Sequence, residues 1–231
     1  AVAPNGDLHV VWTELTLPSG WPPLGVFYAQ STDSGLTWSE PVEMASDGYL
    51  EANIVTVDEN EVHVVWNAMG SISGRYHKWS GDRGATWSET SEFVSRDLGG
   101  GSTGPPGLTV DSIGDVHVVV NTYDTVQRTG TGEFGAALYS VWSDSRWLPL
   151  VNISSTAPDY ISINNEESVI AVIQGNQLHV LFFGDETHSL WHTSFRTSVP
   201  QIAPTPFASS SSGQSVPAVL ITPTPPPTSE L

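Results

Sequence analysis

The chain has 231 residues, enough for one or two domains with a substantial core. Its 25 Asp and Glu against 7 Lys and Arg give a net charge of −18, which excludes nucleic-acid and anionic-membrane partners that need a basic surface. The absence of cysteine excludes disulfides and thiolate metal sites, and no apolar run is long enough for direct membrane insertion.

Taken from Ala1, which reads as the start of a processed or excised piece, four strings recur. They are G-D-L-H-V-V-W at 6–12, N-E-V-H-V-V-W at 60–66, G-D-V-H-V-V-V at 114–120 and N-Q-L-H-V-L-F at 176–182. Each is rich in β-branched and aromatic residues and follows a turn signal, so each is predicted to be a strand. A short strand is predicted before three of them, at 54–57, 108–110 and 169–173. A third strand follows each, at 26–30, 76–79, 138–142 and 190–193, and a fourth follows at 42–45, 93–94 and 150–153. No segment carries a helical apolar period. Four antiparallel strands repeating in this way predict an all-β propeller.

The expected blade units are 1–46, 51–95, 106–154 and 167–203, within a propeller region spanning 1–200. The first unit opens at its second strand. Further blades of a larger, six-bladed-like wheel are therefore preferred to closure by four. Residues 204–231 are rich in Pro, Ser and Thr and are expected to be an extended linker to a further domain or a cell surface.

Between third and fourth strands lie S-T-D-S-G-L-T-W-S-E-P from 31 and S-G-D-R-G-A-T-W-S-E-T from 80. A motif written twice in register belongs to the scaffold. Ser31, Asp33, Gly35 and Trp38 correspond to Ser80, Asp82, Gly84 and Trp87. The carboxylate is expected to accept backbone N–H bonds within its own turn, the glycine to take positive φ, and the tryptophan to fold back as an apolar anchor. A shortened copy, S-D-S-R-W, ends at Trp147. These strings resemble the Asp-box (bacterial neuraminidase repeat, BNR) of sialidase-like β-propellers, and the resemblance covers roughly residues 1–200.

His9, His63, His117 and His179 hold one repeat position, so they are read as equivalent scaffold residues and no metal site is expected. Weak Ca²⁺ binding at the acidic turn 58–61 is the single cofactor role entertained, a solvated turn being preferred. Of the nine tryptophans only Trp21 falls outside the repeat. Trp21 and Tyr123 are the candidate ligand-binding aromatics. Long connections at 14–25, 45–53, 68–75, 95–107, 122–136 and 154–168 fall on the face opposite the boxes, where a ligand site is expected.

Sialidases bind a substrate carboxylate with three arginines and use a tyrosine nucleophile helped by a glutamate. The resemblance implies Arg75, Arg96 and Arg128 for the first role, Tyr49 and Glu51 for the second, with Glu133 a further acidic candidate. The R-I-P string that carries the family's first arginine is absent from these residues. The leading expectation is accordingly an extracellular or cell-surface, bacterial recognition domain for a glycan or protein ligand. A sialidase-type glycoside hydrolase completed by residues outside this chain is the alternative, and a structural spacer the second alternative.

Overall fold

The computed structural model describes residues 1–16, 23–46, 48–68, 74–94, 104–123, 135–154, 168–184 and 189–202. Among these there is no helix, and the strands form four antiparallel sheets. The first sheet contains β1 (Leu8–Leu15), β2 (Pro23–Ser31) and β3 (Val42–Ser46). The second contains β4 (Tyr49–Thr56), β5 (Val62–Ala68), β6 (Gly74–Ser80) and β7 (Ser91–Val94). In the third, β8 (Gly107–Val110), β9 (Val116–Tyr123) and β10 (Gly135–Ser143) are flanked by β11 (Arg146–Trp147) and β12 (Val151–Asn152), both paired with β10. The fourth is β13 (Val169–Ile173), β14 (Gln177–Gly184) and β15 (Ser189–Arg196). Before β1, Val2 makes a single antiparallel bridge to Leu8.

Strands β4, β8 and β13 each open a sheet, and β4 touches β8 while β8 touches β13. The sheets therefore pack face to face around a shared line of inner strands, as blades of a propeller do. Sheets buried on both faces need strands without polar alternation. Accordingly every residue of β5, V-H-V-V-W-N-A, is buried.

Each sheet has a leading face, turned towards the preceding sheet, and a trailing face, turned towards the next. Leading faces carry a cross-strand pair: Trp12 with Phe27, Trp66 with Tyr76, Val120 with Leu138, and Phe182 with Trp191. Trailing faces carry the repeated histidine and a partner on the third strand. His9 Nδ1 lies 2.7 Å from Tyr28 Oη and His117 Nδ1 2.7 Å from Tyr139 Oη. His63 Nδ1 lies 3.0 Å from His77 Nε2, and His179 Nδ1 2.9 Å from His192 Nε2. Four copies of one arrangement place these histidines in the scaffold. Among the described residues no three His, Asp or Glu side chains converge as metal ligands.

Trailing faces meet leading faces in three apolar cores. Val26, Tyr28 and Met44 pack on Val64 and Trp66. Val94 and Phe93 pack on Val118, Val120 and Trp147. Val119 and Ala137 pack on Ile170, Leu178, Val180 and Phe182. Rings reinforce each seam: Trp87 meets Tyr28 edge-on at 4.8 Å, Trp142 meets His77 at 4.5 Å, and Phe195 meets Tyr139 at 4.9 Å.

The two intact boxes are near-superimposable turns. Ser31 Oγ donates to Asp33 Oδ1 at 2.8 Å and accepts Gly35 N–H at 2.9 Å. Asp33 also accepts Thr37 N–H at 2.9 Å and Thr37 Oγ1–H at 2.6 Å. Ser80, Asp82, Gly84 and Thr86 repeat all four bonds within 0.1 Å. The threonine hydroxyl and backbone bonds, followed by that of Ser31, hold the Asp33 carboxyl down at about 2. The chain needs φ of 86° at both Gly35 and Gly84, which glycine adopts without a Cβ clash. In the shortened copy Asp144 and Ser145 both take positive φ, so Trp142 pairs with Trp147 across a two-residue hairpin.

Two expectations are corrected. The box tryptophan does not anchor its own blade alone: Trp87 and Trp147 brace the preceding sheet, Trp147 while also packing on Trp142 of its own sheet, and Trp38, with no sheet before it among the described residues, is 47% exposed. The connection expected over 45–53 is only residues 47–48, because β4 continues pairing with β5 up to Tyr49. Tyr49 and Glu51 therefore stand in a strand, as does Arg75 in β6.

Candidate functional site

The candidate site grows from the end of the inner strands opposite the boxes. Along β4 the register with β5 shifts between Leu50 and Ala52, and the residue between them, Glu51, has φ of 37°. A non-glycine residue in the left-handed region costs about 1–3 kcal/mol and persists only where its surroundings hold it. Here the holder is Asn67 of β5, whose Nδ2 donates to Glu51 Oε2 at 2.7 Å. The same nitrogen lies 3.3 Å from the Gly104 carbonyl, while its buried Oδ1 has no partner among the described residues. Glu51 itself is exposed. The bulge thus presents a carboxylate to solvent from a buried amide.

Behind it stands Arg75, directly across the β5–β6 ladder from Asn67 and 0% exposed. Its Nη2 donates to the Asn121 carbonyl of β9 at 3.0 Å and its Nη1 to the Gly74 carbonyl at 3.3 Å. Burial pulls the guanidinium down to about 10, and the charge of Glu51 opposes that fall. Gly74 is tightly enclosed, since a Cβ there would lie 2.9 Å from Glu92 Oε1 and 3.0 Å from the Val94 carbonyl. Asn121, 3% exposed, accepts Ser168 Oγ–H at 2.5 Å through its side-chain oxygen.

A recess of about 130 Å³ opens beside this cluster, between Asn53 of β4, Pro105 and Pro106, and Ser168 at the start of β13. Asn53 Nδ2 donates to the Pro106 carbonyl at 3.0 Å, fixing one wall. Glu51, Asn67, Arg75, Asn121 and Ser168 thus link three sheets at one end of the inner strands. Chemically this is a recognition arrangement: an exposed acceptor, buried amides that orient it, and a buried cation that favours negative or electron-rich groups nearby.

Of the residues expected from sequence, the structure brings Glu51 and Arg75 together. Tyr49 opens β4 opposite Ala68 and Tyr123 closes β9 opposite Gly135, at the same end of their sheets. Trp21, Arg96, Arg128 and Glu133 lie outside the described residues, as does 204–231. Sequence reasoning missed Asn67 and Asn121. Their signal was present: H-V-V-W-N and H-V-V-V-N end two repeats in an amide where the other two end in Thr13 and Phe183. Ser168 carried no signal. At the acidic turn, the Asp58 carboxylate accepts the N–H groups of Asn60 and Glu61, and Glu61 Oε1 lies 2.7 Å from His63 Nε2.

No family model matches the chain, and neither does any curated protein. In structure it is similar to the NanB sialidase of Streptococcus pneumoniae, with a TM-score of 0.53 and 18% identity over 80% of this chain and 26% of that one. It is also similar to a xylan β-1,4-xylosidase from Bacillus halodurans (0.51, 16% identity, 83% of this chain and 38% of that one). A third likeness is to the GH93 α-L-arabinofuranosidase of Fusarium graminearum (0.51, 11% identity, 85% and 61%). The chain therefore spans from about a quarter to about three-fifths of the length of these proteins. At such identities the likeness establishes the fold, an all-β propeller of the sialidase-like kind.

Proposed function

We propose that this chain is part of a carbohydrate-recognition propeller whose ligand sits at the loop end of the inner strands, over Glu51. The supporting observation is the strained, solvent-facing Glu51 held by buried Asn67 in front of buried Arg75. A carboxylate fixed in this way accepts hydrogen bonds from vicinal sugar hydroxyls without losing side-chain freedom on binding. The repeats are of the Asp-box type, the blade units are those expected from sequence, and 204–231 is a tether to a surface or further domain in an extracellular setting. The carbohydrate-active neighbours support a glycan as the class of ligand.

Glycan-array screening followed by calorimetry tests this reading. Binding of a glycan by the chain is expected, with Glu51→Gln weakening it at least about tenfold, the loss of one charge-assisted hydrogen bond. Binding unaffected by Glu51→Gln, or none at all, overturns the reading. The second reading, a sialidase-type hydrolase, is favoured by the placement of Tyr49 two residues from Glu51 at the same strand end. It requires hydrolysis of a fluorogenic sialoside that Tyr49→Phe abolishes.

A further inference from the structure

The end of the inner strands that holds Glu51 has acceptors in excess of donors. Asn67 Nδ2 donates to Glu51 Oε2 at 2.7 Å, and Oε1 of this exposed residue takes no bond from any described residue. An ionised carboxylate has room for about four donors, so most of its capacity stays open. Asn67 adds to the surplus, because its side chain is fully buried and its Oδ1 has no donor among the described residues. A ligand for this end must therefore bring donors.

Arg75 does not offset the surplus for a ligand. It is 0% exposed, and its Nη1 and Nη2 donate to the backbone carbonyls of Gly74 and Asn121 at 3.3 and 3.0 Å. A two-pronged grip on a ligand carboxylate needs both terminal nitrogens presented together, which a buried and engaged fork does not offer. Burial pulls the guanidinium down and the charge of Glu51 opposes that fall. The negative group that Arg75 favours is thus already in place.

The wider charge has the same sign. By strand alternation, the connections at 16–22, 47–48, 69–73, 95–106, 124–134, 153–168 and 185–188 all leave from this end. Their sequences contain nine Asp and Glu against Arg96 and Arg128, within a chain of net charge −18. Such a field repels sugar carboxylates and sulfates and draws in cations before contact.

Resting on the recognition reading of this end given above, we infer that the ligand is a cationic glycan, whose docking sugar carries a free ammonium group. The ammonium donates to Glu51 Oε1 while Asn67 keeps Oε2, so the carboxylate is already fixed when the charge arrives. An ammonium brings three donors and a full charge, and the bond is charge-assisted on both sides. Acetylation of the same nitrogen removes the charge and leaves one N–H. Strand β5 stands between the strands carrying Glu51 and Arg75, so the ammonium lies nearer the carboxylate than the guanidinium, and attraction prevails. An anionic sugar meets the opposite balance.

Calorimetry near neutral pH with a glucosamine trimer, its N-acetylated counterpart and a galacturonic acid trimer tests this. The glucosamine trimer should bind at least about tenfold more tightly than the acetylated one, and the galacturonate more weakly than either. Raising salt from about 0.05 to about 0.5 M should weaken binding of the amine and leave the acetylated trimer unchanged. Glu51→Gln can still accept the Asn67 bond, so it should keep its circular dichroism and lose the tenfold preference. Glu89→Gln, in the box at the opposite end of the sheets, should retain it. The salt dependence is read on the unaltered chain and decides even if a variant misfolds. A preference that survives Glu51→Gln is attraction to the acidic chain at large and overturns the inference, as does amine binding that salt leaves unchanged. Glu51-dependent binding that favours the acetylated or anionic trimer also overturns it, while the recognition reading stands. Absence of any Glu51-dependent glycan binding overturns both.

Discussion

The first and second boxes are nearly the same turn in two different places. Their internal hydrogen bonds agree within 0.1 Å and both glycines have φ of 86°. Their surroundings differ. The second box presses Gly84 and Trp87 onto Tyr28, and its Arg83 reaches back to Asp7 at 2.5 Å. Among the described residues no sheet stands in front of the first box, and Trp38 stands half in water. The turn is therefore a self-contained local structure, and its contribution to holding the wheel together depends on the neighbour it touches. Two energies are involved, one local and one at the seam.

Substitutions at matched positions separate them, and the glycines should show the largest contrast. Gly35→Ala incurs only the left-handed backbone strain, about 1–2 kcal/mol. Gly84→Ala adds the overlap with the buried Tyr28, raising the loss to about 3 kcal/mol or more. Urea unfolding of both variants measures this; equal losses would mean that the seam at Tyr28 contributes nothing. Next in size are the tryptophans. Trp87→Ala should cost about 2–3 kcal/mol by removing the ring that braces Tyr28 and Trp38→Ala under about 1 kcal/mol, since half its surface is already wet.

A third test is pH dependence. Burial, and then the charge of His63, push His77 well below the usual imidazole range, so the folded chain keeps it neutral while the unfolded chain protonates it below about pH 6.5. In that window the unfolded state binds more protons. Stability is therefore complete above about pH 6.5 and falls as pH drops, by up to about 1.4 kcal/mol per pH unit. Replacing His77 with Phe should make this acid limb shallower, while His9 and His117, which burial also lowers, retain part of it. Unfolding free energies measured between about pH 4 and 8 decide the matter. An acid limb as steep without His77 as with it would locate the sensitive proton elsewhere.

Much of this molecule was legible before any coordinate, and the legible part has a common physical origin. Strands, turns and the Asp-Gly-Thr chemistry of the boxes depend on residues within a few positions of one another, and four in-register copies made the signal strong. The H-V-V-W strings lie in strands as expected, between two neighbours in β5, β9 and β14 and first in its sheet in β1, and the four histidines hold one equivalent position. Glu51 and Arg75 were picked out as candidates, but the means of bringing them together was not legible. It depends on a one-residue bulge that turns Glu51 outward and on Asn67 and Asn121, whose part depends on burial between sheets distant in sequence.

The chain's own order of residues determined that it would form antiparallel sheets, because side-chain alternation and turn geometry are set within each repeat. Only the tertiary structure decided what each face meets. Trp66 and Trp12 hold the same place in equivalent strands and stack on the same kind of partner, yet one is wholly buried and the other is not. Burial is a property of neighbours, and a repeat does not encode whether another repeat stands beside it.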